Sequence, residues 1–252
     1  PLRQIFDISY FKLGTYQLGE LSNFLSDPSL LYYFSLKKNS IVGHHKLEKI
    51  MTLHLFRHGE TDWNHAGRFQ DQDSSELTRR GILQAQKVGH KIKNINFDKF
   101  YCSPSLRTKQ TAFHMWPDKV GKIEYLESLL EIKLGPLEGQ FYEDVKLNDP
   151  SSYDHFFHKP HLFKLNGAET FAEVTVRAVD AITDIALKNM NQTVAIVSHG
   201  AFIKAFLTKI DKKGLHEIWE PPFMDNCAHS IVIFESDNLF RIVQFADIKR
   251  NL

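Results

Sequence analysis

The sequence predicts an α/β domain in which a mostly parallel central sheet is flanked by helices, with a small helical excursion inserted near residues 133–167. Three observations predict it. From Met51 onward, apolar runs alternate with amphipathic stretches, as strands and helices alternate in such folds. The runs TLHLF (52–56) and TVAIVS (193–198) contain no Asp, Glu, Lys or Arg, which suits strands covered on both faces. Each is followed closely by a His-Gly pair, His58-Gly59 and His199-Gly200, where a buried strand would emerge.

The elements follow in order. TLHLF is the first strand. LTRRGILQAQKVGHKI (77–92) sets Ile82, Ala85, Val88, Gly89 and Ile92 on one helical face, with Thr78 as N-cap. FDKFYCS (97–103) is a second short strand, and SPSLRTKQTAFHMW opens a helix with Pro104 suited to its first turn. KIEYL (122–126) is another strand. ETFAEVTVRAVDAITDIALKNM (169–190) is the longest helix, with Phe171, Val174, Ala178, Ala181, Ile182 and Ile185 as its apolar stripe. TVAIVS leads straight into the helix GAFIKAFLTKI, and HSIVIFES (229–236) with LFRIVQFAD (239–247) form a terminal hairpin.

Two segments stand outside this alternation. Residues 1–50 hold neither a helical nor an alternating pattern, and Met51 is the first methionine in the chain. They read as an N-terminal extension, either upstream read-through before a start at Met51 or a disordered arm, leaving 51–252 as the domain. The stretch from Lys133 to Gly167 is crowded with aromatics and histidines. It reads either as a helical excursion with its own small core or as a cap over a site.

Composition narrows the function classes. A net charge of +1 over 252 residues provides no general field for nucleic acid or acidic membranes. No run has the apolar length of a membrane span. Two cysteines, Cys102 and Cys227, make no disulfide framework and suit a reducing cytoplasm.

In open α/β sheets ligands bind beyond the carboxyl ends of the strands. His58 and His199 both stand there, each followed by a glycine that permits close approach to the backbone. Gly200 also begins a helix, whose first N–H groups favour an anion. Arg57 beside His58, and Arg107 early in the helix after the second strand, add two guanidinium forks suited to phosphate. Glu131 follows an apolar pair in LESLLEIKLGPLEG, and a glutamate held partly out of water can donate a proton near neutral pH.

Taken together, these blocks resemble a known family. LFRHGETDWN resembles the RHG signature of the histidine phosphatase superfamily, the phosphoglycerate mutase-like proteins. The resemblance continues through GRFQDQDSSELTRRGILQAQ, YCSPSLRTKQTA, LEIKLGPLEG, NGAETFAEVTVR and IVSHGAFIKAF, six blocks in order from Met51 to the end. It implies a three-layer sandwich and hydrolysis of a small-molecule phosphomonoester without metal or cofactor. His58 then matches the nucleophile that becomes phosphohistidine. Arg57, Arg107 and His199 match the groups around the phosphoryl oxygens, and Asn64 joins that pocket, which the helix start at Gly200 would also face. Thr61 matches a position beside the nucleophile, and Glu131 the general acid and base. Asp71 stands where many relatives carry glycine.

The chemistry is consistent with that set. A phosphomonoester carries about two negative charges near neutral pH, and phosphoryl transfer depends chiefly on positioning and charge stabilisation. A neutral imidazole is a ready nucleophile where a serine would need a separate base.

Rival readings are weaker. A cysteine phosphatase loop needs five residues between Cys and Arg, whereas Cys102 and Arg107 have four between them. A metal hydrolase using His58, His199 and Glu131 would place Arg57 against its cation, although His155, His158 and His161 have helical spacing for a metal. Within the family, a cofactor-dependent phosphoglycerate mutase would carry a longer insertion than residues 132–166. A phosphoprotein-binding module without turnover would need a blocked pocket. The aromatics from Phe141 to Phe163 favour a partly apolar or planar alcohol as the organic half of the substrate. His155, His158, Lys159, His161 and Lys164 would instead favour a second anionic group.

Overall fold

A computed structural model describes residues 50–72, 75–235 and 239–250. The expected N-terminal extension lies outside them except for Ile50, which opens the first strand. Seven strands form one sheet in the order β3-β2-β4-β1-β5-β6-β7. They are β1 (Ile50–Arg57), β2 (Lys99–Cys102), β3 (Ile123–Tyr125), β4 (Thr193–Ser198), β5 (His229–Glu235), β6 (Phe240–Phe245) and β7 (Ile248–Lys249). The pairs β1–β4, β4–β2 and β2–β3 are parallel, while β5, β6 and β7 extend the sheet antiparallel from β1. The expected hairpin is present. Its docking on β1 and the two-residue β7 were not legible beforehand.

Alternation along the central strands fills two cores. Leu53, Leu55, Val194 and Ile196 face one cluster, shared with Phe171, Ile182, Phe202 and Phe206. Phe56, Ala195 and Val197 face the other, with Ala85, Ile92, Ala112 and Met115. The first layer is built by α6 (Phe171–Lys188) and α7 (Gly200–Ile210), the second by α2 (Arg79–Lys91) and α3 (Leu106–Met115). The whole expected stripe of α6 is buried; each large aliphatic or aromatic in it contributes roughly 1.5–3 kcal/mol. A capping box of Thr170 and Glu173 starts that helix.

Thr78 caps α2 as expected, accepting from the Gly81 N–H. Pro104 lies ahead of the first turn of α3 rather than in it, because Ser105, whose backbone is still extended, is the N-cap. Residues 133–167 hold two short helices, α4 (Tyr142–Asn148) and α5 (Pro150–Phe157), between 3-10 turns. Val145, Phe156 and Phe163 from this stretch join the main core beside α6 and α7.

Candidate active site

The register of β1 against β4 places the two histidines side by side. Arg57 pairs with Ser198, and the His58 N–H donates to the Ser198 carbonyl at 3.0 Å. The next residues, His58 and His199, leave the sheet together, their ring centroids 5.4 Å apart. Residues 141 positions apart thus meet through parallel pairing alone.

The tautomer of each ring follows from its partners. Nδ1 of His58 lies 2.8 Å from the Gly59 carbonyl, which can only accept, so Nδ1 carries the proton and Nε2 the lone pair. His199 has the opposite tautomer. Its Nδ1 accepts from the Arg107 guanidinium at 3.0 Å, and its Nε2–H donates to Ser103 Oγ at 2.7 Å. Burial, then the charges of Arg107 and Arg57, hold His58 well below the usual histidine range. Burial, Arg107 and His58 do the same for His199. Both imidazoles are neutral at physiological pH.

A cavity of about 270 Å³ opens in front of His58, lined also by Arg57, Asn64, Gln70, Glu131 and Gly200. Arg57 donates from Nη1 to the Met224 carbonyl at 2.5 Å. A Cβ on Gly200 would meet Arg57 Nε at 3.3 Å, so this glycine makes room for the guanidinium. Gly59 serves neither ligand nor Arg57: a Cβ there would lie 2.7 Å from the Gly81 carbonyl oxygen, and one on Gly81 2.0 Å from that of Glu60. The two glycines let α2 close onto the turn after β1, so close approach of a ligand is not what Gly59 provides.

Arg107 and His199 are fully buried and stand behind His58 rather than in the cavity wall. Besides His199, Arg107 Nη2 donates to the Asp71 backbone carbonyl. Burial lowers the Arg107 pKa to about 10, against the opposing fields of Glu131 and Asp71. The Asp71 carboxylate accepts from the Leu134 N–H at 2.6 Å, tying this loop to the Glu131 segment. Thr61 is buried and caps α1 (Asp62–Ala66), accepting from the Asn64 N–H at 3.0 Å. It therefore reaches the site through Asn64, whose Oδ1 also accepts from Asn226 at 3.0 Å.

Glu131 occupies an unexpected place. Its Oε2 accepts from the Ala201 N–H at 3.1 Å, and its Oε1 from Phe202 and Ile132 at 2.9 and 3.0 Å. The helix start that the sequence offered to a substrate anion is thus taken by the protein's own carboxylate. Its backbone is held in turn by Arg177 of α6, which donates to the carbonyls of Ser128, Leu130 and Glu131. Glu169 grips that guanidinium at 2.9 and 2.7 Å and accepts from the Lys133 N–H at 3.2 Å. The pair clamps both sides of Glu131.

From the excursion, Tyr142, Phe156 and Phe157 line the cavity, whereas His155, His158, Lys159, His161 and Lys164 do not. Among the described residues no group of three His, Cys, Asp or Glu side chains is placed to hold a metal. Sequence reasoning missed Ser103, Gln70, Asn226, Lys204 and Asp225. They lie in loops or on a buried helix, where spacing signals nothing.

Comparisons with known proteins cover most of the described domain. The family model described as histidine phosphatase superfamily (branch 1) matches residues 53–248. Phosphoserine phosphatase 1 of Hydrogenobacter thermophilus is 28% identical over 186 residues, covering 74% of this chain and 88% of its own. The metal-independent phosphoserine phosphatase of Arabidopsis thaliana is 30% identical over 164 residues, covering 62% and 67%. Among solved structures, YhfR of Bacillus stearothermophilus superposes with a TM-score of 0.76 at 32% identity, over 79% of this chain and 98% of that one.

Proposed function

Because this chain belongs to the histidine phosphatase superfamily (branch 1), we propose that it hydrolyses small phosphomonoesters through a phosphohistidine on His58. The carrying observation is the bond from His58 Nδ1 to the Gly59 carbonyl at 2.8 Å. It leaves the lone pair on Nε2 of a ring that lines the cavity, and burial keeps that ring neutral. Nε2 attacks phosphorus, the ester P–O bond breaks, and the leaving alkoxide takes a proton from Glu131. Water then attacks the phosphohistidine, Glu131 accepts its proton, and phosphate departs with the imidazole restored. Arg57 and Asn64 face the phosphoryl oxygens from the cavity wall. Arg107 and His199 supply positive potential and positioning from behind His58.

Metal independence is part of the same reading. Two guanidinium groups balance the phosphate charge, and the Arabidopsis relative is itself named a metal-independent enzyme. We also place the protein in a reducing cytoplasm, since Cys102 and Cys227 are free thiols and no described helix is long and apolar enough to cross a membrane. The test is turnover of aryl and alkyl phosphates with and without chelator, on wild type and on His58→Ala. Chelator-resistant hydrolysis and loss of both turnover and acid-labile phosphoenzyme in the variant are expected. Turnover that survives His58→Ala refutes the nucleophile.

A further inference from the structure

We propose that Thr111 of α3 and Gln84 of α2 are positioning residues for the nucleophile, which they aim by holding the two peptide units of Gly59. The inference rests on the phosphatase reading and deepens it, since His58 is the group they act through. The ring of His58 is tethered at Nδ1 to the Gly59 carbonyl at 2.8 Å. That tether is no better fixed than Gly59 itself, and glycine is the residue least restrained by its own sterics. The rigidity has to come from outside the turn.

Two side chains supply it. The Gly59 N–H donates to Thr111 Oγ1 at 3.0 Å, and that hydroxyl donates its own proton to the Arg107 carbonyl at 2.7 Å. With its one donor committed to its own helix, the oxygen can only accept from Gly59. Thr111 is fully buried, so no water stands in for it. On the other side, the Glu60 N–H donates to Gln84 Oε1 at 2.9 Å. That N–H and the Gly59 carbonyl belong to one peptide unit. A chain of hydrogen bonds therefore runs from the Gln84 amide through this peptide to His58 Nδ1. Each bond in such a chain polarises the next, so Gln84 makes the Gly59 carbonyl a better acceptor and leaves more electron density on Nε2.

The close approach of Gly59 and Gly81 acquires a purpose here. Gln84 follows Gly81 by about one helical turn, and only a helix pressed against the turn after β1 brings its amide within reach of Glu60. Thr111 likewise follows Arg107 by one turn of α3. One helix thus carries both the guanidinium behind His58 and the hydroxyl that holds the turn of His58, which keeps nucleophile and charge in register.

The experiment measures kcat and KM of the full chain for p-nitrophenyl phosphate and an alkyl phosphate, together with acid-labile phosphoenzyme and nitrogen NMR spectra of the histidine rings. Thr111→Val keeps the shape and removes the acceptor. It should lower kcat by about 10- to 100-fold, up to the cost of a displacement near 1 Å, with KM little changed. Both esters should suffer equally, because the nucleophile attacks each of them. Gln84→Met should act in the same sense but more weakly, since Gln84 is only half-buried and water can replace part of its bond. Thr111→Ser and Gln84→Glu keep the accepting oxygen and should retain most of the rate. In the spectra, the Nδ1–H tautomer of His58, identified by its loss in His58→Ala, should give way in part to the Nε2–H form in Thr111→Val and Gln84→Met. A lowered melting temperature with unchanged kcat and an unchanged tautomer overturns the proposal, reducing both residues to packing. A loss confined to the alkyl ester also overturns it, because that loss would run through Glu131. Where Thr111→Val fails to fold, the contrast between Gln84→Met and Gln84→Glu decides by the same criteria. Absence of acid-labile phosphoenzyme in wild type overturns the phosphohistidine reading itself, a result that no variant is needed to see.

Discussion

Replacing Arg177 by Met removes the clamp on the Glu131 segment while leaving every cavity-lining group in place. The guanidinium makes three bonds to the carbonyls of residues 128, 130 and 131 and two to Glu169. Bonds to charged groups are worth about 1.5–3 kcal/mol each. A simple sum would overcount, because the two side chains are 26% and 17% exposed and water can replace part of what is lost. A net cost of about 2–4 kcal/mol is the reasonable magnitude, equivalent to roughly 4–16 °C in Tm for a domain of this size. The effect on catalysis should be selective. Glu131 keeps its bonds to Ala201 and Phe202 but loses the restraint on its own backbone, and a displacement near 1 Å costs about a hundredfold. Alkyl phosphates, whose leaving group needs a proton, should lose about 10- to 100-fold in kcat, and p-nitrophenyl phosphate much less. In a Glu131→Gln background the same substitution should add little, since the group it positions no longer transfers a proton. Steady-state kinetics on both ester types, with thermal melts of all variants, decides. Equal losses on the two esters, or full additivity with Glu131→Gln, would refute the argument that Arg177 acts through Glu131. Arg177→Lys should not rescue, because an ammonium cannot span the fork.

Glu131→Gln alone should cut alkyl phosphate hydrolysis by roughly two to four orders of magnitude and spare activated aryl esters; parallel losses would reduce Glu131 to a positioning group. His58, His199 and His229 are held neutral by burial, so the unfolded chain binds more protons below its histidine pKa near 6.5. Stability is then complete above that pH and falls as pH drops below it, by at most about 4 kcal/mol per unit if all three contribute. Urea unfolding at pH 7, 6 and 5 measures this, and a flat profile contradicts it. Gly200→Ala sets a methyl 3.3 Å from Arg57 Nε, so the guanidinium must give way; weaker phosphate and vanadate inhibition is expected, and unchanged inhibition constants would show that Arg57 does not hold the anion.

The parts legible in the sequence were those whose environment repeats along the chain. The α6 stripe and the uncharged β4 run each report a constant surrounding, so periodicity finds them. The parts that escaped depend on partners distant in sequence. Gly59 reads as a ligand-facing glycine until Gly81 of α2 is seen against it. The start of α7 reads as an anion site until Glu131, 70 residues earlier, fills it. Lys204 is inconspicuous because α7 is buried all round, so a lysine within it looks like an ordinary polar position. Short pieces such as β7 lack the length to show a period at all, and the Ser105 cap of α3 makes no side-chain bond that spacing could anticipate.

The placement of Glu131 at the start of α7 has a mechanical consequence. Every residue of that helix from Gly200 to Thr208 is buried, so it cannot rock or slide to follow its first turn. In the proposed cycle Glu131 gives up a proton and then regains one, so the charge on which the Ala201 and Phe202 N–H groups rest appears and is removed within each turnover. The close packing around the helix is the foundation that would hold those N–H groups in place through the change of charge. Loosening the foundation far from the cavity, for instance by hollowing the packing around Phe206, would therefore register first as a slower proton-dependent step, before the fold itself begins to fail.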